Sequence, residues 1–123
     1  MNDDPNEEAA RLPSGLIVEA VLKQCDIDFI PYYILQRGDF SSGIIMAKIN
    51  GLDGRIALRI QQRNFMSGQL EWSDANNSNN NAQETEERII DSYIERSIKR
   101  DPDLWVIEFE SRDLQNPFER ELM

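Results

Sequence analysis

The chain contains no histidine, and this absence removes more chemistry than any other feature of its composition. Serine or cysteine nucleophiles activated by an imidazole are excluded, as are histidine-ligated zinc sites. An enzyme built on this sequence would have to work with carboxylates, lysine, tyrosine or a magnesium-like ion on oxygen ligands. A single cysteine, Cys25, rules out an intramolecular disulfide and fits a reducing compartment. On the apolar side of an expected helix it reads as a small buried hydrophobe rather than a nucleophile. No apolar run approaches the roughly 20 residues needed to span a bilayer. The first ten residues are acidic and polar, the reverse of a secretory or transit peptide, so a cytoplasmic protein is expected.

What is present is acid. Aspartate and glutamate number 23 against 13 lysines and arginines, for a net charge of −10. The excess sits at the two ends. Residues 1–10 hold four acids and no base, residues 11–82 balance at seven each, and residues 83–123 hold twelve acids against six bases. Such a surface repels phosphate backbones at long range, so general nucleic-acid binding is not expected. The length of 123 residues suits one domain. The expected organisation is a disordered acidic tail over 1–10, a single domain over 11–113 with a mobile asparagine-rich loop at 73–83, and a loose C-terminal end over 114–123.

Within the domain, Ser14 reads as an N-cap before a helix over 16–25. Residues 29–36 are aromatic and branched and read as a strand, with Pro31 marking an edge or an entry bulge. A turn at 37–43 leads to an apolar strand over 44–50. Asp53-Gly54 signals a hairpin into a cleanly alternating strand over 55–61, and a short strand over 69–72 follows. A second helix over 85–100 carries Ile90 and Ile94 on its apolar stripe, with Arg96, Lys99 and Arg100 in its last turns, where cations suit the helix dipole. After Asp101-Pro102-Asp103 comes the apolar strand 104–109, which arrives last and must be buried inside a sheet built earlier. The expectation is an α+β two-layer sandwich: a mainly antiparallel sheet of four to five strands with two helices, in the order helix, strands, helix, strand. Ile56, Leu58, Ile90, Ile94, Trp105 and Ile107 are expected in one core cluster.

Several short motifs occur in a fixed order: Arg11-Leu12-x-Ser14-Gly15-Leu16, Arg37-Gly38-Asp39 followed by Gly43, Leu52-Asp53-Gly54, and Asp101-Pro102-Asp103-Leu104-Trp105-Val106. As an ordered set they resemble the small bacterial family called domain of unknown function 1491, over about residues 11–113. The resemblance implies a single-domain cytoplasmic protein and brings no activity and no catalytic residue.

The best candidate site on the residues themselves is basic. Arg55 and Arg59 share a strand face and Lys48 lies on the neighbouring strand, with Arg63 nearby; together they could hold a phosphate, a carboxylate or an acidic segment. The competing reading is a solvated face paired with the protein's own acids. Asp39 and Met46-Ala47-Lys48 loosely follow the Asp and acid-x-Lys pattern of a magnesium-dependent nuclease family, but methionine stands where the second metal-binding acid belongs. Arg37-Gly38-Asp39 reads as a turn, and Ser14-Gly15 as a cap rather than an anion site. Glu108 and Glu110, like Asp101 and Asp103, read as rim charge and turn capping. No cofactor and no metal is expected. The reading that remains is a non-enzymatic module that binds another protein. The alternative is a small-anion binder or a carboxylate- and lysine-based enzyme on the basic sheet face.

Overall fold

The structure is a computed structural model and describes residues 12–75 and 87–120. The expected acidic tail and most of the 73–83 loop lie outside these residues. Helix α1 spans Ser14–Asp28 and α2 spans Glu87–Arg100; the strands are β1 Tyr32–Gln36, β2 Ile45–Asn50, β3 Ile56–Arg63, β4 Leu70–Asp74 and β5 Trp105–Glu110. The sheet order is β1-β5-β2-β3-β4. The class is α+β as expected, with a mixed, mostly antiparallel sheet in which only β2 and β5 run parallel. Strand β5, last in the chain, lies between β1 and β2, where both its faces are covered.

Layering departs from the expectation in one respect. Strands β2 and β5 are apolar on both faces, so each face must be buried. Ile45, Ala47, Ile49, Trp105, Ile107 and Phe109 pack with Val18, Val21, Leu22 and Cys25 of α1. The alternate residues Met46 and Val106 pack with Leu58, Leu104, Ile90 and Ile94 on the α2 side. The helices therefore lie on opposite sides of the sheet, giving three layers and two cores. The single cluster expected from the sequence divides, with Trp105 and Ile107 on the α1 side and the other four residues on the α2 side.

Helix α1 begins without a side-chain cap. Its first N–H groups donate instead to the loop before β2: Ser14 N–H to the Ser41 carbonyl at 3.3 Å and Gly15 N–H to the Phe40 carbonyl at 2.7 Å. Ser14 is thus not the expected N-cap, and these helix-end donors are already used. A side chain on Gly15 would overlap the Phe40 ring. At its other end α1 closes in a Schellman motif, with Phe29 N–H on Asp26 and Ile30 N–H on Cys25.

The C-terminal end is not loose through Arg120. A short 3-10 turn, Pro117–Glu119, is capped by Asn116, whose side chain accepts from Phe118 N–H. Leu114 and Phe118 pack on the α1-side core. Phe118 stacks on Trp72 at 5.3 Å and meets Phe109 edge-on at 5.7 Å.

Candidate functional site

The three cations expected to form an anion site are kept apart. Lys48 sits on the α2 side of β2 and is 2% exposed. Its Nζ donates to Glu87 Oε2 at 2.7 Å and Asp91 Oδ1 at 2.8 Å, and lies 3.6 Å from Glu108 Oε1. Burial works against the ammonium charge, but hydrogen bonds to Asp91 and Glu87 and the Glu108 charge outweigh it, so the Lys48 pKa is raised. Arg59 stands opposite Ala47 and so faces the α1 side. It holds Asp74 at 2.9 Å and grips Glu119 through two hydrogen bonds of 2.8 Å. Arg55 folds back on Asp53 at 2.7 Å and donates to the Arg112 carbonyl. Lys48 and Arg59 occupy opposite faces of the sheet and all three cations are engaged by acids of the same chain, so no convergent anion site forms. Arg63 lies further along β3 and donates to the Gly68 carbonyl.

The remaining polar candidates are structural in their contacts. The Asp39 carboxylate accepts from Ser42 N–H at 2.9 Å and from its hydroxyl, closing its own turn. Asp101 accepts from Asp103 N–H at 3.1 Å. Burial pushes the Cys25 thiol up to about 11, which keeps it protonated at neutral pH. Among the described residues no group of three or more acids and cysteine is arranged to hold a metal, and no helix is long and apolar enough to cross a membrane. A groove of about 400 Å³ between the start of α1 and β3–β4 has a mixed lining, with Leu12, Ile17, Ile44 and Leu70 beside Ser14, Ser41, Ser42 and Gln61, and Arg63 is the one charged side chain among the described residues that line it.

The Arg59–Glu119 contact makes the C-terminal segment acid-sensitive. The hydrogen bond from Arg59 holds the Glu119 carboxyl below its usual value of 4.5, with Asn116 assisting. A lowered folded-state pKa contributes stability that is present above 4.5 and lost as pH falls through the folded value. We expect Trp72 emission to change in that range as Phe118 leaves its stack, and Glu119→Gln to remove this step. An unaltered acid transition in Glu119→Gln would place the sensitivity elsewhere.

Sequence reasoning missed an apolar surface at the entrance to β1. Ile27 is 62% exposed, Phe29 90%, Tyr33 51% and Leu35 44%. Phe29 has φ 58° and ψ 39°, the left-handed conformation that the Schellman position requires and that glycine ordinarily fills. Strand β1 is an edge, as Pro31 suggested, with a bulge between Ile34 and Gln36. The signal available in the sequence was Phe29 in the slot just after a helix, where the chain must turn. A second apolar pair, Phe65 and Met66, caps the β3–β4 hairpin.

Three of the four motifs that carried the family resemblance meet at one junction, and the fourth, Leu52-Asp53-Gly54, turns the chain between β2 and β3. Asp39 N–H donates to the Asp103 carbonyl at 3.0 Å, and the Trp105 indole N–H donates to the Asp39 carbonyl at 2.9 Å. Gly38 and Gly43 both lie against Asp103, and Gly15 lies under Phe40 of the same loop. The sequence pattern of the DUF1491 family, described as a protein of unknown function, matches residues 12–119. The chain belongs to the DUF1491 family. The crystal structure of a DUF1491 protein from Caulobacter crescentus CB15 is 24% identical, with a TM-score of 0.70 over 87% of this chain and 92% of that one. An NMR structure of a DUF1491 protein from the same organism is also 24% identical, with a TM-score of 0.73 over 92% and 97%. A solution structure of a protein from A. tumefaciens is 22% identical, with a TM-score of 0.64 over 82% and 86%. These likenesses establish a shared fold. No curated protein matches the chain.

Proposed function

We propose that this DUF1491 protein is a non-enzymatic module that binds another protein, using the end of α1 and the edge of β1. Phe29 carries the reading. A left-handed conformation costs a bulky L-residue about 1–2 kcal/mol, and a phenyl ring 90% exposed gains nothing from the fold in return. Backbone strain and an exposed aromatic ring at one position together support a contact made outside the chain. Tyr33 and Leu35, on the α2-side face of β1 that α2 leaves open, extend the surface.

Phe29→Gly separates this reading from a purely structural role, because the two effects have opposite signs. Relief of the strained φ should raise stability by up to about 1 kcal/mol, after allowing for glycine's greater chain entropy. Partner contact should fall. A photo-crosslinking residue at position 29, expressed in the native host, should give a discrete adduct. Unlabelled wild-type protein should compete that adduct away, and unlabelled Phe29→Gly should not. Equal competition by both would remove Phe29 from the interface, and an adduct at Ile89 on α2 but none at position 29 would move the interface elsewhere.

A further inference from the structure

The edge of β1 combines open backbone groups with two carboxylates that have no ion-pair partner among the described residues. The Pro31 carbonyl accepts from Glu110 N–H at 3.1 Å, and the register pairs Tyr32 with Phe109, Tyr33 with Glu108 and Ile34 with Ile107. In an antiparallel pair, the residues whose backbone groups face the partner strand alternate with those whose groups face away. Pro31 and Tyr33 face β5, so the N–H and C=O of Tyr32 and Ile34 point outward, where no other described strand pairs with them. Pro31 and the bulge after Ile34 limit the open stretch to a few residues, enough for a short extended segment and too little for an aggregating edge.

Charge selects the occupant. The Tyr32 hydroxyl donates to Asp26 at 3.3 Å and the Tyr33 hydroxyl donates to Glu110 at 3.1 Å. Neither carboxylate has an ion-pair partner among the described residues, whereas Asp28 nearby is taken by Arg120 at 2.9 Å. Tyr32 faces the α1 side and Tyr33 the opposite side, so the two carboxylates flank the same end of the edge from its two faces. Consecutive side chains of an extended segment point to opposite faces in the same way.

We propose that β1 accepts an extended segment of a partner protein that adds as a sixth strand and carries two consecutive basic residues, one reaching toward Asp26 and one toward Glu110. This rests on the protein-binding reading above and specifies its partner chemistry. The segment gains main-chain hydrogen bonds from Tyr32 and Ile34, apolar contact with Phe29 and Leu35, and a charge match that a second copy of this chain, at −10, lacks.

The test is a titration of the isotopically labelled full chain with two synthetic heptapeptides of valine, threonine and tyrosine, one ending in two lysines and its twin in two glutamates. The lysine peptide should shift the Tyr32 and Ile34 amides and bind at least tenfold more tightly than the glutamate peptide at low salt. The gap should close as salt rises and vanish in Asp26→Asn with Glu110→Gln. If both peptides bind at β1 equally, the basic preference is overturned while the protein-binding surface stands. If neither shifts these amides although the crosslink at position 29 is competed, strand addition is overturned alone; failure of both removes the surface itself. Concentration-dependent shifts of the same amides in the protein alone would assign the edge to a second copy and overturn the proposal.

Discussion

Trp105→Ala should lose about 3–5 kcal/mol of stability, the range for truncating a buried aromatic. Trp105 is 4% exposed and opens β5. Its backbone N–H donates to the Ile44 carbonyl at 2.8 Å, its indole N–H to the Asp39 carbonyl at 2.9 Å, and its ring lies against Gly38 and Gly43. One side chain thus joins the loop before β2 to the strand that enters the sheet last. Through Phe40 and Ser41, that loop also supplies the carbonyls that complete the start of α1. Truncation removes apolar burial, takes from the Asp39 carbonyl one of its two donors (Gly43 N–H at 3.0 Å stays), and loosens the support of the helix end. Trp105→Phe should lie between, keeping much of the volume and losing the indole hydrogen bond at a cost of about 0.5–1.5 kcal/mol, since the Asp39 carbonyl keeps Gly43 N–H. Gly38→Ala should disturb the same junction by a different route, since a Cβ there overlaps the Asp103 carbonyl. Urea denaturation of the three variants checks the ordering. A loss below about 1 kcal/mol for Trp105→Ala would mean that the loop and β5 hold together without the indole.

The elements were legible because each has a local cause. The alternation Ile56, Leu58, Ile60 marks β3, the spacing of Ile90 and Ile94 marks α2, and the apolar run from Leu104 to Phe109 marks a strand that had to enter the sheet interior. The layering was less legible, although its signal was present. Residues Ile44 to Ile49 and Leu104 to Phe109 are apolar at nearly every position, and a strand buried on both faces needs a cover on each. Reading both helices onto one face left half of each central strand without a partner. The C-terminal end was misjudged from its polarity. Leu114, Pro117 and Phe118 make too short an apolar set among polar neighbours to mark an element, yet Leu114 and Phe118 pack on the α1-side core, Phe118 against Trp72 and Phe109, and Pro117 is buried. The basic constellation failed for a geometric reason. Residues Lys48 and Arg59 face each other only in sequence; the pleat sends Lys48, opposite Leu58, to one side and Arg59, opposite Ala47, to the other. The apolar edge escaped because its main signal is conformational. Nothing in composition states that Phe29 adopts φ 58°, and its meaning emerges only once the end of α1 is placed.

Neutralising the acids around Lys48 should destabilise the protein far more than removing the lysine. The charge taken out of water is the ammonium: the Lys48 side chain is 3% exposed, against 51% for Glu87, 53% for Asp91 and 14% for Glu108. In Lys48→Met, Glu87 and Asp91 turn to water, Glu108 keeps the Asn50 side-chain amide at 3.3 Å, and an apolar chain fills the site beside Met46 and Leu58. A loss of about 1 kcal/mol is expected, since apolar replacement of a buried charge is often nearly neutral. In Glu87→Gln, Asp91→Asn, Glu108→Gln, the acceptors remain but the countercharge is gone, and a buried, uncompensated cation costs about 3–5 kcal/mol. The pH dependence gives a second check with the sign reversed. In the wild type the raised Lys48 pKa contributes stability that is fully present below 10.5 and lost as pH rises through the folded value. In the triple variant burial acts unopposed and lowers the Lys48 pKa, so the unfolded chain binds the extra proton and stability should rise with pH up to about the same unfolded value of 10.5. Denaturation midpoints of the two proteins between pH 7 and 10 should therefore draw together. A larger loss for Lys48→Met than for the triple variant, or parallel pH profiles, would mean that the Lys48 ammonium reaches water and that α2 is held to the sheet by its apolar stripe alone.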